Sequence, residues 1–111
     1  MNIDVKEQTG VFVITLSDRV DAFNVPPLRE KMQALLNDSA VNFIVDLSNV
    51  TFLDSSGMAS LVNLLKNARQ SGGEVRLVNP SHVDVARTLS LTKFDRIFDI
   101  RSTVEDAINQ F

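Results

Sequence analysis

The chain alternates between two hydrophobic periods, and the changes of period mark its elements. Ile3 and Val5 alternate with Asp4 and Lys6, Gln8, Thr9 and Gly10 supply turn residues, and Val11 to Leu16 follows as a nearly unbroken apolar run. Period two on either side of a turn predicts a β-hairpin, its more continuous second strand the more buried. Beyond it Asn24 can cap a helix, Pro26 and Pro27 suit a first turn, and Leu28, Met32, Leu35 and Leu36 recur at i, i+4, i+7 and i+8. That spacing predicts an amphipathic helix.

Phe43, Ile44, Val45 and Leu47, interrupted only by Asp46, predict a short buried strand, with Asn49 to Leu53 as a connection after it. The polar group Asp54, Ser55, Ser56 and Gly57 then opens a second helix. Met58, Leu61, Val62, Leu65 and Ala68 share one face of it, and Gly72 with Gly73 ends it. Val75 to Val78 reads as a further strand broken by Asn79 and Pro80, and Ser81 with Asp84 fits a capping box for a helix through Leu89. A short edge strand is expected near Ile97 to Ile100. Ser102 to Glu105 is another capping box, with Val104, Ala107, Ile108 and Phe111 on one face of a closing helix. Strands separated by helices require parallel pairing through right-handed crossovers, with the hairpin as an antiparallel edge. The expected fold class is α/β, a mixed and mostly parallel sheet of about five strands covered by about four helices.

Composition narrows the function classes. A length of 111 residues suits one domain, residues 1–111, and 44% apolar with 23% charged residues is the make-up of an ordinary folded globule. Eleven Lys and Arg are scattered among fourteen acids for a formal charge of −3, which argues against a nucleic-acid partner. No stretch approaches the roughly 18 uninterrupted apolar residues of a spanning helix, and Met1 to Gly10 lacks the basic start and apolar run of an export signal. No membrane association is expected. The chain has no Cys, so disulfides, thiol nucleophiles and cysteine metal sites are excluded, and the cytoplasm is the expected compartment. Seven Phe without Trp or Tyr read as core residues.

Catalytic constellations are not apparent. His82 is the one histidine and has no second His or Cys with which to share a metal, so it reads as a surface residue beside a helix cap. Ser55, His82 and an acid lack the G-x-S-x-G elbow of a nucleophilic serine. Gly10, Gly57, Gly72 and Gly73 build neither phosphate-binding glycine motif. No enzyme activity, cofactor or metal is expected. What remains is Asp54-Ser55-Ser56-Gly57. Simple helix capping accounts for such residues, yet a cap needs one acceptor and this run supplies three. Gly57, a poor helix former, would also let something approach the backbone closely.

The run from Val45 to Met58 through this block resembles the signature of the bacterial anti-sigma factor antagonists, the single-domain STAS family. Asp21-Ala22-Phe23-Asn24 with Leu28-Arg29, Gly72-Gly73 to Asn79-Pro80, and Leu89 to Phe98 are similar to other segments of that family, so the resemblance spans essentially the whole chain. It implies a STAS-type sheet and a partner-switching function. The unphosphorylated protein would bind a serine-kinase anti-sigma factor and free a sigma factor. Phosphorylation would fall on the serine directly after the Asp, here Ser55, and a metal-dependent serine phosphatase would reverse it. The resemblance places Asp21, Asp54, Ser56, Gly57 and Met58 at the partner-binding surface. Two departures stand out: Asp18 occupies the place of a usual turn glycine, and Ala59 adds a methyl where the family often has glycine. The alternative is a non-catalytic STAS subunit of a larger assembly, stressosome-like or part of a lipid-transport complex.

Overall fold

The computed structural model describes residues 1–109 and 111. Its elements are β1 (Asn2–Gln8), β2 (Val11–Val20), α1 (Val25–Asn37), β3 (Asn42–Leu53), α2 (Ser55–Gln70), β4 (Glu74–Val78), α3 (Val83–Leu91), α4 (Phe94–Ile97), β5 (Asp99–Arg101) and α5 (Val104–Asn109). The hairpin forms because Thr9 and Gly10 both take positive φ, 52° and 83°, the conformation that turns two strands with the natural sheet twist. That turn pairs Gln8 with Val11 and fixes the β1–β2 register. The sheet order is β1-β2-β3-β4-β5, antiparallel in the hairpin and parallel elsewhere. The fold is thus the mixed α/β sheet that the sequence predicts, with one helix more than expected.

Both faces of the sheet are covered, which explains why β2 reads as a continuous apolar run and not as an alternation. Ile14, Leu16, Phe43, Val45, Leu47 and Leu77 point to a main core, where α1 contributes Leu28 and Met32, α2 Leu61, Leu64 and Leu65, and α3 Val85 and Leu89. Val11, Val13, Ile44 and Val78 point the other way, against Ala107 and the half-buried Val104 and Ile108 of α5. Charge ties β5 and the C-terminal residue to β4 as well. Arg76 Nε donates to Asp99 Oδ2 at 2.9 Å, and its guanidinium lies 4.1 Å over the Phe111 ring. Arg101 Nε donates to Asp99 Oδ1 at 2.7 Å. Hydrogen bonding to Arg101, with Arg76 added, holds the Asp99 carboxyl below its usual value against the opposing effect of burial.

The structure corrects the sequence reading of several elements. Asn49 to Leu53 is not a connection but the second half of β3, which pairs with β2 through Ser17↔Asn49, Asp18↔Val50 and Val20↔Leu53. Register shifts between Thr15 and Ser17 and between Asp18 and Arg19 break the period-two pattern there, which hides the strand. On α2 the buried residue is Leu64, 1% exposed, and Val62 is 36% exposed at the edge of the apolar stripe. A short helix, α4, follows Lys93, whose φ of 63° turns the chain sharply, so the edge strand begins only at Asp99. The caps also move by one residue. His82 caps α3, Nδ1 accepting from Asp84 N at 3.3 Å, and Thr103 Oγ1 accepts from Asp106 N at 3.1 Å at the start of α5.

The corrected α2 face yields a direct test. Leu64→Ala should cost about 2 to 5 kcal/mol, as a large-to-small change in a packed core. Val62→Ala should stay within about 0.5 kcal/mol, as at other solvent-facing sites. Urea melts of the two variants would read this difference, and the reverse ranking would place the wrong face inward.

Candidate functional site

Because β4 pairs with β3 only as far as Asp46, the remainder of β3 and the end of β2 continue together beyond it. Their last paired residues, Val20 and Leu53, lead directly into the β2–α1 turn and into α2. The candidate site is built where these two exits meet. Asp54 joins them. Its backbone N–H donates to Val20 O at 3.2 Å, its Oδ1 accepts from Gly57 N at 3.0 Å, and its Oδ2 accepts from Ala22 N at 3.1 Å. The first carboxylate bond is an N-cap, giving an acceptor to one of the four backbone donors that a helix start leaves unpaired. The second is long-range and fastens the β2–α1 turn to the helix.

The turn itself is stiffened by Asp21. Its Oδ1 accepts from Phe23 N at 3.0 Å and Asn24 N at 3.3 Å, while Arg19 Nε approaches Oδ2 at 3.4 Å. Asn24 was expected to cap α1. Instead its side chain turns back, Oδ1 accepting from Asp21 N at 2.9 Å and Nδ2 donating to Arg19 O at 2.8 Å. Arg19 also lies over the Phe52 ring at 4.0 Å. Asp18, exposed at the bulge, has φ 64°, a left-handed conformation that Asp tolerates better than most residues and glycine adopts freely. A glycine is therefore the residue the local backbone would favour there.

Ser55, the expected phosphoacceptor, is the first residue of α2 and is exposed. The cap is made by Asp54, so the Ser55 hydroxyl takes no part in it. Ser56 is half-buried, Gly57 and Met58 are buried, and Asp21 and Asp54 are half-buried. Gly57 thus admits an intramolecular neighbour: a Cβ there would stand 2.6 Å from Leu53 Cδ1 and 2.9 Å from Val20 Cγ1. It lets α2 begin close against the two strand ends. Beside Ser55 an open groove of about 520 Å³ runs between α2 and the α3–α4 segment, lined by Leu53, Met58, Ala59, Thr88, Thr92 and Phe94. His82 lines a different hollow with Ser48, Asn49, Thr51 and Ser81, so it is not brought together with Ser55 there. Among the described residues no group of three or more His, Asp or Glu is placed to hold a metal ion. No described helix is long and apolar enough to cross a membrane.

One exposed residue beside the site escaped the sequence reading. Phe23, grouped there with the core phenylalanines, is 97% exposed at the tip of the Asp21 turn. The available signal was negative: it lies in the stretch between the last β2 residue and the helix, where no apolar period continues.

The STAS domain family profile matches residues 2–107, and the chain belongs to the STAS domain family. The anti-sigma-B factor antagonist of Bacillus subtilis is 28% identical over 108 residues, covering 97% of either chain. A crystal structure from Thermotoga maritima superposes with a TM-score of 0.90 at 29% identity, over 97% of this chain and 92% of that one. Bacillus SpoIIAA shares the fold in both its phosphorylated form (TM-score 0.77, 20% identity, 98% of each chain) and its unphosphorylated form (TM-score 0.79, 22% identity, 98% of this chain and 96% of that one).

The packing at the start of α2 separates structural from free residues. Gly57→Ala should destabilise by about 1 to 3 kcal/mol, because the added methyl must displace Leu53 or Val20. Ser55→Ala should change stability by no more than about 0.5 kcal/mol, the usual range for a surface side chain outside a cap. Denaturant melts in which Ser55→Ala is the worse of the two would assign Ser55 a structural role.

Proposed function

We infer that this chain is an anti-sigma factor antagonist that acts by docking, with Ser55 as its phosphorylation switch. In this reading it is a single-domain cytoplasmic protein with no catalytic activity of its own. The observation that carries the reading is the division of labour at the start of α2. Asp54 supplies the cap, and the adjacent Ser55 hydroxyl stands exposed and uncommitted beside an apolar groove. The Bacillus subtilis relative bears the corresponding name, and the fold accommodates a phosphorylated form in SpoIIAA.

Unmodified, the chain binds a serine-kinase anti-sigma factor, which then releases its sigma factor. The kinase transfers the γ-phosphoryl group of ATP to Ser55 Oγ: the new O–P bond forms as the β,γ-bridging bond breaks, ADP leaves and the hydroxyl proton is lost. A serine phosphatase hydrolyses the ester and resets the switch. Asp21, Asp54 and Ser56 flank Ser55 at the docking surface, and the buried Gly57 and Met58 support it from below. The acidic residues Asp18, at the β2 bulge, and Asp21, in the turn after it, favour a partner that offers Arg or Lys, a pairing that chiefly sets specificity and on-rate.

The switch follows from where the charge sits. A phosphoserine adds about −1.5 to −2 charges, which the helix N-terminus of the free protein tolerates. In the complex the same dianion beside Asp54 must be desolvated, and an uncompensated buried charge costs about 3 to 5 kcal/mol. Affinity should therefore fall by roughly a hundredfold or more. Incubation with each anti-sigma factor kinase of the source organism and ATP, followed by phosphopeptide mapping and calorimetry, tests this. The expected result is phosphate on Ser55 with the predicted loss of affinity, and a Ser55→Ala chain that binds but is never released. Phosphate on Ser56 alone, or equal affinity of both forms, would overturn the assignment.

A further inference from the structure

Single exposed apolar residues are common on folded proteins, so the exposure of Phe23 decides nothing by itself. Its presentation is what sets it apart. The Phe23 N–H is held by Asp21 Oδ1 at 3.0 Å, and the preceding Ala22 N–H is held by Asp54 Oδ2 at 3.1 Å. Two carboxylates thus fix the backbone on which a 97% exposed ring stands. Tip residues left to solvent have no need of such anchoring, whereas a rigid aromatic on a pre-formed turn loses little freedom when it enters a pocket. The turn is also continuous with the switch, since Asp54 is bonded to the Phe23 turn on one side and precedes Ser55 on the other.

We propose that Phe23 is the aromatic anchor of the docking surface, entering an apolar pocket with a basic rim on the anti-sigma factor, and that Asp54 is the positioning residue that couples it to Ser55. The proposal rests on the reading of Ser55 as a docking switch. Charge selects the occupant. Asp18, at the β2 bulge, and Asp21, in the turn after it, lie close before Phe23 in the chain; Arg19 between them pairs with Asp21 and covers the Phe52 ring, which leaves the exposed Asp18 as the unpaired charge. The net charge beside the Phe23 turn is therefore negative and asks for basic groups opposite. A second copy of this chain would bring the same negative charge against itself.

The coupling follows from competition at one carboxylate. A phosphate on Ser55 is a second anion at the same helix start, repelling the Asp54 carboxylate and competing with it for the Gly57 N–H. When Asp54 withdraws, its bond to Ala22 N goes with it, and the turn that carries Phe23 loses the side-chain bond that ties it to the start of α2. Phosphorylation then weakens docking twice, by its charge at the interface and by releasing the anchor.

The test titrates the recombinant anti-sigma factors of the source organism, one at a time and without ATP, into the full chain and its variants. Phe23→Ala should weaken binding about thirtyfold or more, as truncation of an interface anchor does, and Phe23→Leu should fall between, with melting temperatures unchanged. Asp54→Asn should also weaken binding in the wild-type background but by distinctly less in the Phe23→Ala background, because part of its effect acts through the ring. Fluorine NMR of fluorophenylalanine-labelled chain should show the Phe23 resonance, assigned by its loss in Phe23→Leu, shifting alike in Asp54→Asn and in the Ser55-phosphorylated protein. Phe23→Ala binding within twofold of wild type while Ser55→Asp binds weakly would remove the anchor and leave the docking reading intact. Wild-type chain that binds no anti-sigma factor would remove both. Additive losses from Asp54→Asn and Phe23→Ala, or a Phe23 signal unmoved by phosphorylation, would refute the coupling. Concentration-dependent self-association abolished by Phe23→Ala would assign the ring to a second copy and overturn the proposal.

Discussion

The position of the candidate site depends on the hydrogen bonds that converge on Asp54. Its amide reaches Val20, its carbonyl accepts from Met58 N at 3.0 Å, and its carboxylate spans Gly57 and Ala22. Two chain exits that are 32 residues apart in sequence are thereby held as one rigid corner. Because one Asp satisfies the cap and the cross-link together, the next residue is left without a structural task. Gly57 completes the arrangement by letting the helix start against Leu53 and Val20 with no methyl between them. Function in this reading is what the corner leaves over: an exposed hydroxyl, an exposed ring, and a groove.

Most of the fold was legible because burial imposes a period. The run Val11 to Leu16 and the spacing of Leu28 and Met32 report faces that are covered in the structure, and the positive-φ pair Thr9 and Gly10 marks its own turn. Legibility failed where geometry changed the period. Two register shifts in the β2–β3 pairing put Val50 and Leu53 inward while Thr51 and Phe52 face out, so the end of β3 looks like a loop. On α2, Val62 lies one position from Leu61 and sits at the edge of the buried stripe that Leu61, Leu64, Leu65 and Ala68 form at i, i+3, i+4 and i+7. The α4 turn depends on Lys93 in a left-handed conformation, which residue type does not announce.

The site was legible in part for a different reason. Asp54, Ser55, Ser56 and Gly57 are adjacent in sequence, so their gathering at one helix start needs no tertiary information. The division of roles among them does. That Asp54 is the cap and Gly57 a packing residue follows from Ala22, Val20 and Leu53, which reach the corner from elsewhere in the chain. Phe23 was missed because an inventory of residue types assigns Phe to the core, and only the turn built by Asp21 and Asn24 directs it outward.

The central claim is that one carboxylate locks the turn to the helix, and amide hydrogen exchange reads it most directly. In wild-type protein the Ala22 and Gly57 amides should both be strongly protected; in Asp54→Ala both should approach free exchange, while core amides such as Val45 keep their protection. Rapid exchange at Ala22 in the wild type, or protection there that survives Asp54→Ala, would contradict the account.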